Sequence, residues 1–182
     1  YDSPSQLLAV YAPDQRSFAK IPGQLIAIDP QTGKYLWAWD NLQTKAGEGD
    51  NQLVGQVQGI VLITDKNRGI TYCLKASDGN LFWESDDLVL DQAVGISQNT
   101  LVAMKKGPDI LYGVNPKNGR RVWYWELNKL TAPPVIHQDK IVYGSGPYLL
   151  VLDPESGRNT RNARFTLRQG EASKLVSHQD LL

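Results

Sequence analysis

One short pattern recurs four times along the chain, and that recurrence limits the fold more than any other feature. AIDPQTGKYLW (27–37) aligns with YCLKASDGNLFW (72–83), YGVNPKNGRRVW (112–123) and LVLDPESGRNTR (150–161). The turn glycines are Gly33, Gly79, Gly119 and Gly157, separated by 46, 40 and 38 residues. A second marker runs beside them: Gln58, Gln98, Gln138 and Gln179, separated by 40, 40 and 41. Two markers sharing one period make a chance coincidence untenable. A period near 40 built from short strands points to a propeller or a linear array rather than a simple sandwich.

The second repeat shows the unit. LVGQV (53–57) meets a turn at Gln58-Gly59, GIVLIT (59–64) follows, DKNRG leads to ITYCLKA (70–76), and SDG turns into LFWES (81–85). These are short runs of β-branched and aromatic residues divided by Gly, Asn and Asp turns, and helical periodicity is absent. Each unit is expected to be an antiparallel four-stranded meander. Trp37, Trp83 and Trp123 each stand four residues past a repeat glycine. A lone four-stranded sheet cannot bury both faces, so sheets must stack, and a large flat ring at a fixed place is an efficient spacer. These tryptophans, with Gly33, Gly79, Gly119 and Gly157, are therefore expected to be structural, with ligand stacking the less favoured reading.

The same residues resemble a known family. A-x-D-x-x-T-G-K-x-x-W is similar to the tryptophan-docking motif of the pyrroloquinoline-quinone-like (PQQ-like) β-propellers, and Ala27, Asp29, Thr32, Gly33, Lys34 and Trp37 match it in full. The second repeat has Lys75 at the Asp position, the third Asn115, and the fourth keeps Asp153 but has Arg161 in place of Trp. The resemblance implies an all-β propeller of four-stranded blades. It says little about activity, because the motif is a packing device shared by enzymes and scaffolds. Members include quinoprotein dehydrogenases, the lipoprotein propeller of the outer-membrane β-barrel assembly machinery, and sensor domains of bacterial kinases.

Read in this register, the chain is a single propeller region over 1–182. Residues 1–40 supply strands B, C and D of one blade, starting at LLAVYA (7–12). Residues 52–86, 92–127 and 132–168 supply complete blades, and 172–182 supply the first strand of a next or closing one. Two architectures fit: a self-closed ring of four blades, or four blades of a larger ring. The second is preferred because the motif belongs to larger rings and the chain opens at Tyr1 without a natural start.

Function is expected where the repeat is irregular. PDQRSFAKIPG (13–23), read as a B–C loop, and NLQTKAGEGDN (41–51), read as a D–A loop, are longer than their counterparts and fall on one face of one blade. Long loops on a rigid scaffold are usual binding places. Asp14, Arg16, Phe18, Lys20, Lys45, Glu48 and Asp50 are the candidates there. Two doubled tryptophan stretches add Trp39 and Trp125, which either widen blade packing or form an aromatic rim. Arg158, Arg164 and Arg168 share strand parity in GRNTRNARFTLR (157–168). Positive charge there either guards an outer edge against pairing or receives an acidic partner.

Chemistry is sparse. His137 and His178 occupy the same turn position in two repeats, which argues for a structural part. No zinc-type spacing and no calcium loop of the D-x-[DN]-x-[DN]-G kind occurs. Cys73 is the single cysteine, so no internal disulfide can form, and mid-strand it reads as a small core residue. Lysine plus arginine and aspartate plus glutamate each number 19, which argues against a nucleic-acid partner. No apolar run reaches the roughly 18 residues of a membrane span. No catalytic, cofactor-binding or metal-binding residue is assigned and no cofactor is expected. The favoured reading is a non-catalytic scaffold or protein-interaction subunit of a larger complex. A ligand-sensing ectodomain of a signalling protein is the alternative, and part of a quinoprotein dehydrogenase is less favoured: the vicinal cysteine pair characteristic of such enzymes needs two cysteines. The family implies a periplasmic or otherwise extracytoplasmic location.

Overall fold

The computed structural model describes residues 6–8, 17–21, 24–29, 31–40, 51–166 and 175. Sixteen strands form four antiparallel sheets, and no helix occurs among the described residues. The first sheet holds β1 (Gln6–Leu8), β2 (Ser17–Ile21), β3 (Gln24–Ile28) and β4 (Tyr35–Trp39). The second holds β5 (Asn51–Val57), β6 (Ile60–Asp65), β7 (Ile70–Lys75) and β8 (Leu81–Ser85). β9 (Gln92–Ser97), β10 (Thr100–Lys105), β11 (Ile110–Val114) and β12 (Arg121–Glu126) make the third. β13 (Leu130–His137), β14 (Lys140–Ser145), β15 (Tyr148–Leu152) and β16 (Asn159–Thr166) make the fourth. Within each sheet the strands follow chain order, which is the meander expected of a propeller blade. The chain divides into two compact units, residues 1–91 with the first two blades and 92–182 with the last two.

The first blade departs from the three strands expected of it. Phe18 pairs with Ala27 and Lys20 with Leu25, so SFAKI is a strand and not part of a long loop. β1 pairs in turn with β2, matching Leu7 to Ala19. The reason is legible in hindsight. Pro-Gly at 22–23 is a turn signal in the sequence, and Ile21 pairs with Gln24. The closing strand expected near 174–177 falls outside the described residues, save Leu175, which is not in a strand.

The glutamine marker has a backbone cause. Val57 pairs with Ile60, Ser97 with Thr100 and His137 with Lys140, leaving two-residue loops. In each loop both residues have positive φ: 43° and 82° at Gln58-Gly59, 48° and 59° at Gln98-Asn99, 45° and 55° at Gln138-Asp139. Those are type I′ turns, whose twist matches the right-handed twist of the flanking strands.

Each unit has its own core. In the first, Leu25, Ala27, Trp37 and Trp39 meet Val61, Ile63, Tyr72, Leu74 and Ala76. In the second, Val102, Met104, Leu111 and Leu127 meet Ile141, Tyr143 and Leu152. β6 is buried along its whole length, which is why IVLIT is apolar at both parities rather than alternating. Its one hydroxyl is satisfied. Thr71 donates to the Leu88 carbonyl (2.6 Å), Thr64 and Thr71 share a 2.8 Å bond, and the Leu90 N–H donates to Thr64 (3.3 Å). This buried network fastens the segment after β8 onto β6 and β7.

Candidate protein-interaction surface

The repeat motif closes the turn between the third and fourth strand of every blade. The Gly33 N–H donates to the Asp29 carbonyl (2.8 Å), and the Asp29 N–H to the Lys34 carbonyl (2.8 Å). The same pair of bonds recurs between Lys75, Gly79 and Asn80, between Asn115, Gly119 and Arg120, and between Asp153, Gly157 and Arg158. The side chain at the Asp position adds to it. Asp29 Oδ1 accepts from Gln31 N (2.8 Å), Asn115 Oδ1 from Lys117 N (2.9 Å), and Asp153 Oδ1 from Ser156 N (3.0 Å). The Thr32 hydroxyl and the Gln31 N–H hold the Asp29 carboxyl below its ordinary range. At Asp153 burial pushes upward, but the Ser156 N–H and hydroxyl and the Lys140 ammonium outweigh it and the carboxyl also lies low. These carboxylates are thus occupied in turns.

The tryptophans follow from the turns. The Trp37 indole N–H donates to the Ala76 carbonyl (2.9 Å), and its ring lies where a Cβ on Gly79 would come within 2.5 Å. Trp123 repeats this in the other unit: its indole N–H donates to the Pro154 carbonyl (2.8 Å), and a Cβ on Gly157 would come within 2.5 Å. Gly79 and Gly157 also sit at φ of 73° and 66°, so two independent constraints select glycine there. Trp83 is buried. The residue across the strand from each ring is small: Ala27 faces Trp37, Cys73 faces Trp83, and Gly113 faces Trp123. Burial pushes the Cys73 thiol up to about 12, as befits a small core residue.

The sequence-derived candidates separate sharply. Trp39 is only 8% exposed and packs against Tyr72 with ring centroids 5.0 Å apart and the ring planes tilted by 60°. It belongs to the core of the first unit and not to a rim. Trp125 is 41% exposed and lies beside the Tyr143 hydroxyl, where its indole opposes the upward push of burial on that phenol. Phe18 and Lys20 lie in β2, not in a loop. Arg158 precedes β16 and is exposed at the Gly157 turn, while Arg164 pairs with Leu150 inside β16. The register of β15 on β16 also slips between Leu150 and Leu152, so the regular strand assumed between Arg158 and Arg164 is interrupted. Asp14, Arg16, Lys45, Glu48, Asp50 and Arg168 lie outside the described residues.

A regularity that sequence reading missed lies just before each tryptophan. The pairing skips one residue there, so Leu36, Phe82 and Val122 are the extra residues of equivalent β-bulges. All three are exposed apolar side chains, at 42%, 42% and 57%. The signal in the sequence was an apolar residue immediately ahead of each docking Trp. β12 goes further than β4 and β8: beyond its bulge, Tyr124 is 57% exposed as well as Trp125. Among the described residues, β12 therefore presents the richest apolar surface on an outer strand. No helix among them is long and apolar enough to cross a membrane.

Comparison with known proteins agrees with this architecture. The family model for "Outer membrane protein assembly factor BamB" matches residues 22–180. A BamB of Nitrosomonas eutropha is 25% identical over 132 residues, covering 70% of this chain and 29% of the relative. Among solved structures, BamB from Moraxella catarrhalis superposes with a TM-score of 0.57 at 15% identity, over 88% of this chain and 51% of that one. The quinohemoprotein alcohol dehydrogenase of Comamonas testosteroni gives 0.59 at 14% identity, over 84% and 33%. The computationally designed Ika8 protein gives 0.58 at 16% identity, over 93% and 52%. The structural likenesses establish the fold, and the chain spans about half or less of the length of each of these four proteins.

Proposed function

The chain belongs to the family of the outer membrane protein assembly factor BamB, and from that premise we propose that it is a non-catalytic propeller scaffold acting in the assembly of outer membrane proteins. The observation that carries this reading is the use made of the repeat motif. Its carboxylates and amides accept backbone N–H groups, and its tryptophans bind the neighbouring blade in each unit. What the blades then offer outward is apolar strand surface, a means of holding another protein rather than of reacting with a small molecule. The location is extracytoplasmic, and the partners are proteins of a larger complex.

The test is isolation of the full-length protein from cross-linked envelopes, with identification of what is bound. Recovery of an outer membrane protein assembly component in stoichiometric amount is the expected result. In parallel, the protein is offered pyrroloquinoline quinone, calcium, an alcohol and a redox dye. Cofactor-dependent dye reduction would overturn the non-catalytic reading.

A further inference from the structure

We propose that the free edge of β12 is a docking strand, to which a partner protein adds an extended segment alternating acidic and apolar residues. This deepens the scaffold reading and rests on it. In its sheet β12 has β11 as its neighbour and is the outermost strand, so one side of its backbone faces away from the blade. An open edge with apolar flanks is a ready template for strand addition. Bulges at edges ordinarily discourage such pairing, and β4, β8 and β12 all have one. In β12 the bulge falls at Val122 and leaves Trp123, Tyr124, Trp125 and Glu126 in unbroken register with Gly113, Tyr112, Leu111 and Ile110. The corresponding regular stretches are shorter in β4, Trp37 to Trp39, and in β8, Trp83 to Ser85. β12 is thus the longest regular edge of the three.

Its side chains suit an added strand on both faces. Tyr124 is exposed at one parity and Trp125 at the other, so an incoming strand finds an aromatic cross-strand neighbour on each face. Charge selects the occupant. Lys117 and Arg120 are exposed in the turn before β12, Arg121 is exposed at its first position, and Arg158 is exposed at the turn that receives Trp123, while the one carboxylate of the strand, Glu126, is exposed at its opposite end. In the same two turns Asp153 is already paired with Lys140 (3.1 Å), leaving Glu155 as the one other carboxylate. The Arg121 guanidinium lies 5.5 Å over the Tyr124 ring, which places charge and apolar surface side by side. Such a rim favours a segment whose acidic side chains meet it while its apolar ones cover Tyr124 and Trp125.

The experiment is calorimetric titration of the full chain with a capped eight-residue peptide alternating valine with glutamate or aspartate. Two control peptides are used: the same sequence N-methylated at alternate amides, and one with lysine in place of each acid. Both controls are expected to bind at least about tenfold more weakly, and Arg121→Glu to weaken the acidic peptide by roughly fivefold. Equal binding of the N-methylated peptide would overturn strand addition without needing any variant. Indifference to Arg121→Glu and to the lysine peptide would overturn the acidic occupant. A concentration-dependent dimer of the full chain that Tyr124→Lys abolishes would assign the edge to a second copy instead. If the peptide fails while an assembly partner is still isolated from envelopes, the edge assignment falls and the scaffold stands; the reverse pattern removes the scaffold reading.

Discussion

A tryptophan and a glycine on adjacent blades form the smallest unit that holds each half of this molecule together. Gly157 is selected twice, by its positive φ and by the Trp123 ring beside it, whereas Gly33 has a positive φ but nothing within 4 Å of where its Cβ would lie. The two positions therefore predict different costs. Gly33→Ala should destabilise by about 1 kcal/mol, the left-handed penalty alone. Gly157→Ala should cost roughly 3 kcal/mol, because the ring must also move. Urea unfolding of the two variants checks the difference, and equal losses would mean that Trp123 is not seated as described. The turn carboxylates give a second residue-scale prediction. Asp29 and Asp153 lie below their ordinary value of 3.8 in the folded chain. Their contribution is present above that value and is lost as pH falls through the lower folded one. The third repeat already uses Asn115, whose Oδ1 accepts the same kind of N–H. The double variant Asp29→Asn, Asp153→Asn should thus keep the turns and flatten the loss of urea midpoint between about pH 5 and pH 3. A loss as steep as in the parent would place the acid sensitivity elsewhere.

At the scale of elements, the hairpins are the most local part of the design. Gln98 and Asn99 both occupy positive φ, a conformation that glutamine tolerates poorly and Asn-Gly adopts readily. Replacing Gln98-Asn99 by Asn-Gly should stabilise the protein by about 0.5 to 1 kcal/mol, and Gln98→Val should destabilise it by about 1 to 2 kcal/mol. Thermal melting reads both signs. The strand count and the turns of the last three blades were legible because strands and hairpins are set by side chains a few residues apart. The first blade was misread at β2. A loop was inferred from the length between recognisable turns, and the β-forming character of SFAKI before Pro22-Gly23 was passed over. The irregularity of β16 was missed for a related reason: a register slip between Leu150 and Leu152 leaves no mark in the sequence.

At the scale of the whole molecule, the two compact units differ in what can report on them. Cys73 is fully buried opposite Trp83 in the first unit, and its thiol is pushed up to about 12 by that burial. The thiolate is the reactive form, so alkylation must wait for the blade to open. At pH 8 the native chain should label at least about a thousandfold more slowly than the urea-unfolded chain. Labelling within an order of magnitude of the unfolded rate would mean that the second blade opens readily on its own. The candidate surface was only half legible. Trp125 was marked in the sequence together with Trp39, and nothing local distinguishes YLWAW from RVWYW as tryptophan pairs. The structure separates them by their neighbours: Trp39 is buried against the tilted ring of Tyr72, while Trp125 lies beside Tyr143 and keeps much of its ring exposed.

By itself, the sequence determined the repeat, the four-stranded meander and the structural part of Trp37, Trp83 and Trp123 and the repeat glycines, and the structure then seated Trp37 on Gly79 and Trp123 on Gly157. Those depend on turn dihedrals and on strand alternation, which act over a handful of residues and so repeat whenever the residues repeat. Tertiary structure alone decided which aromatic rings are covered, where the bulges place Leu36, Phe82 and Val122, and that β12 has a longer regular edge than β4 or β8. Burial and edge exposure depend on what another blade sets against a strand, and that partner lies some 40 residues away in the chain, as Trp37 and Ala76 show.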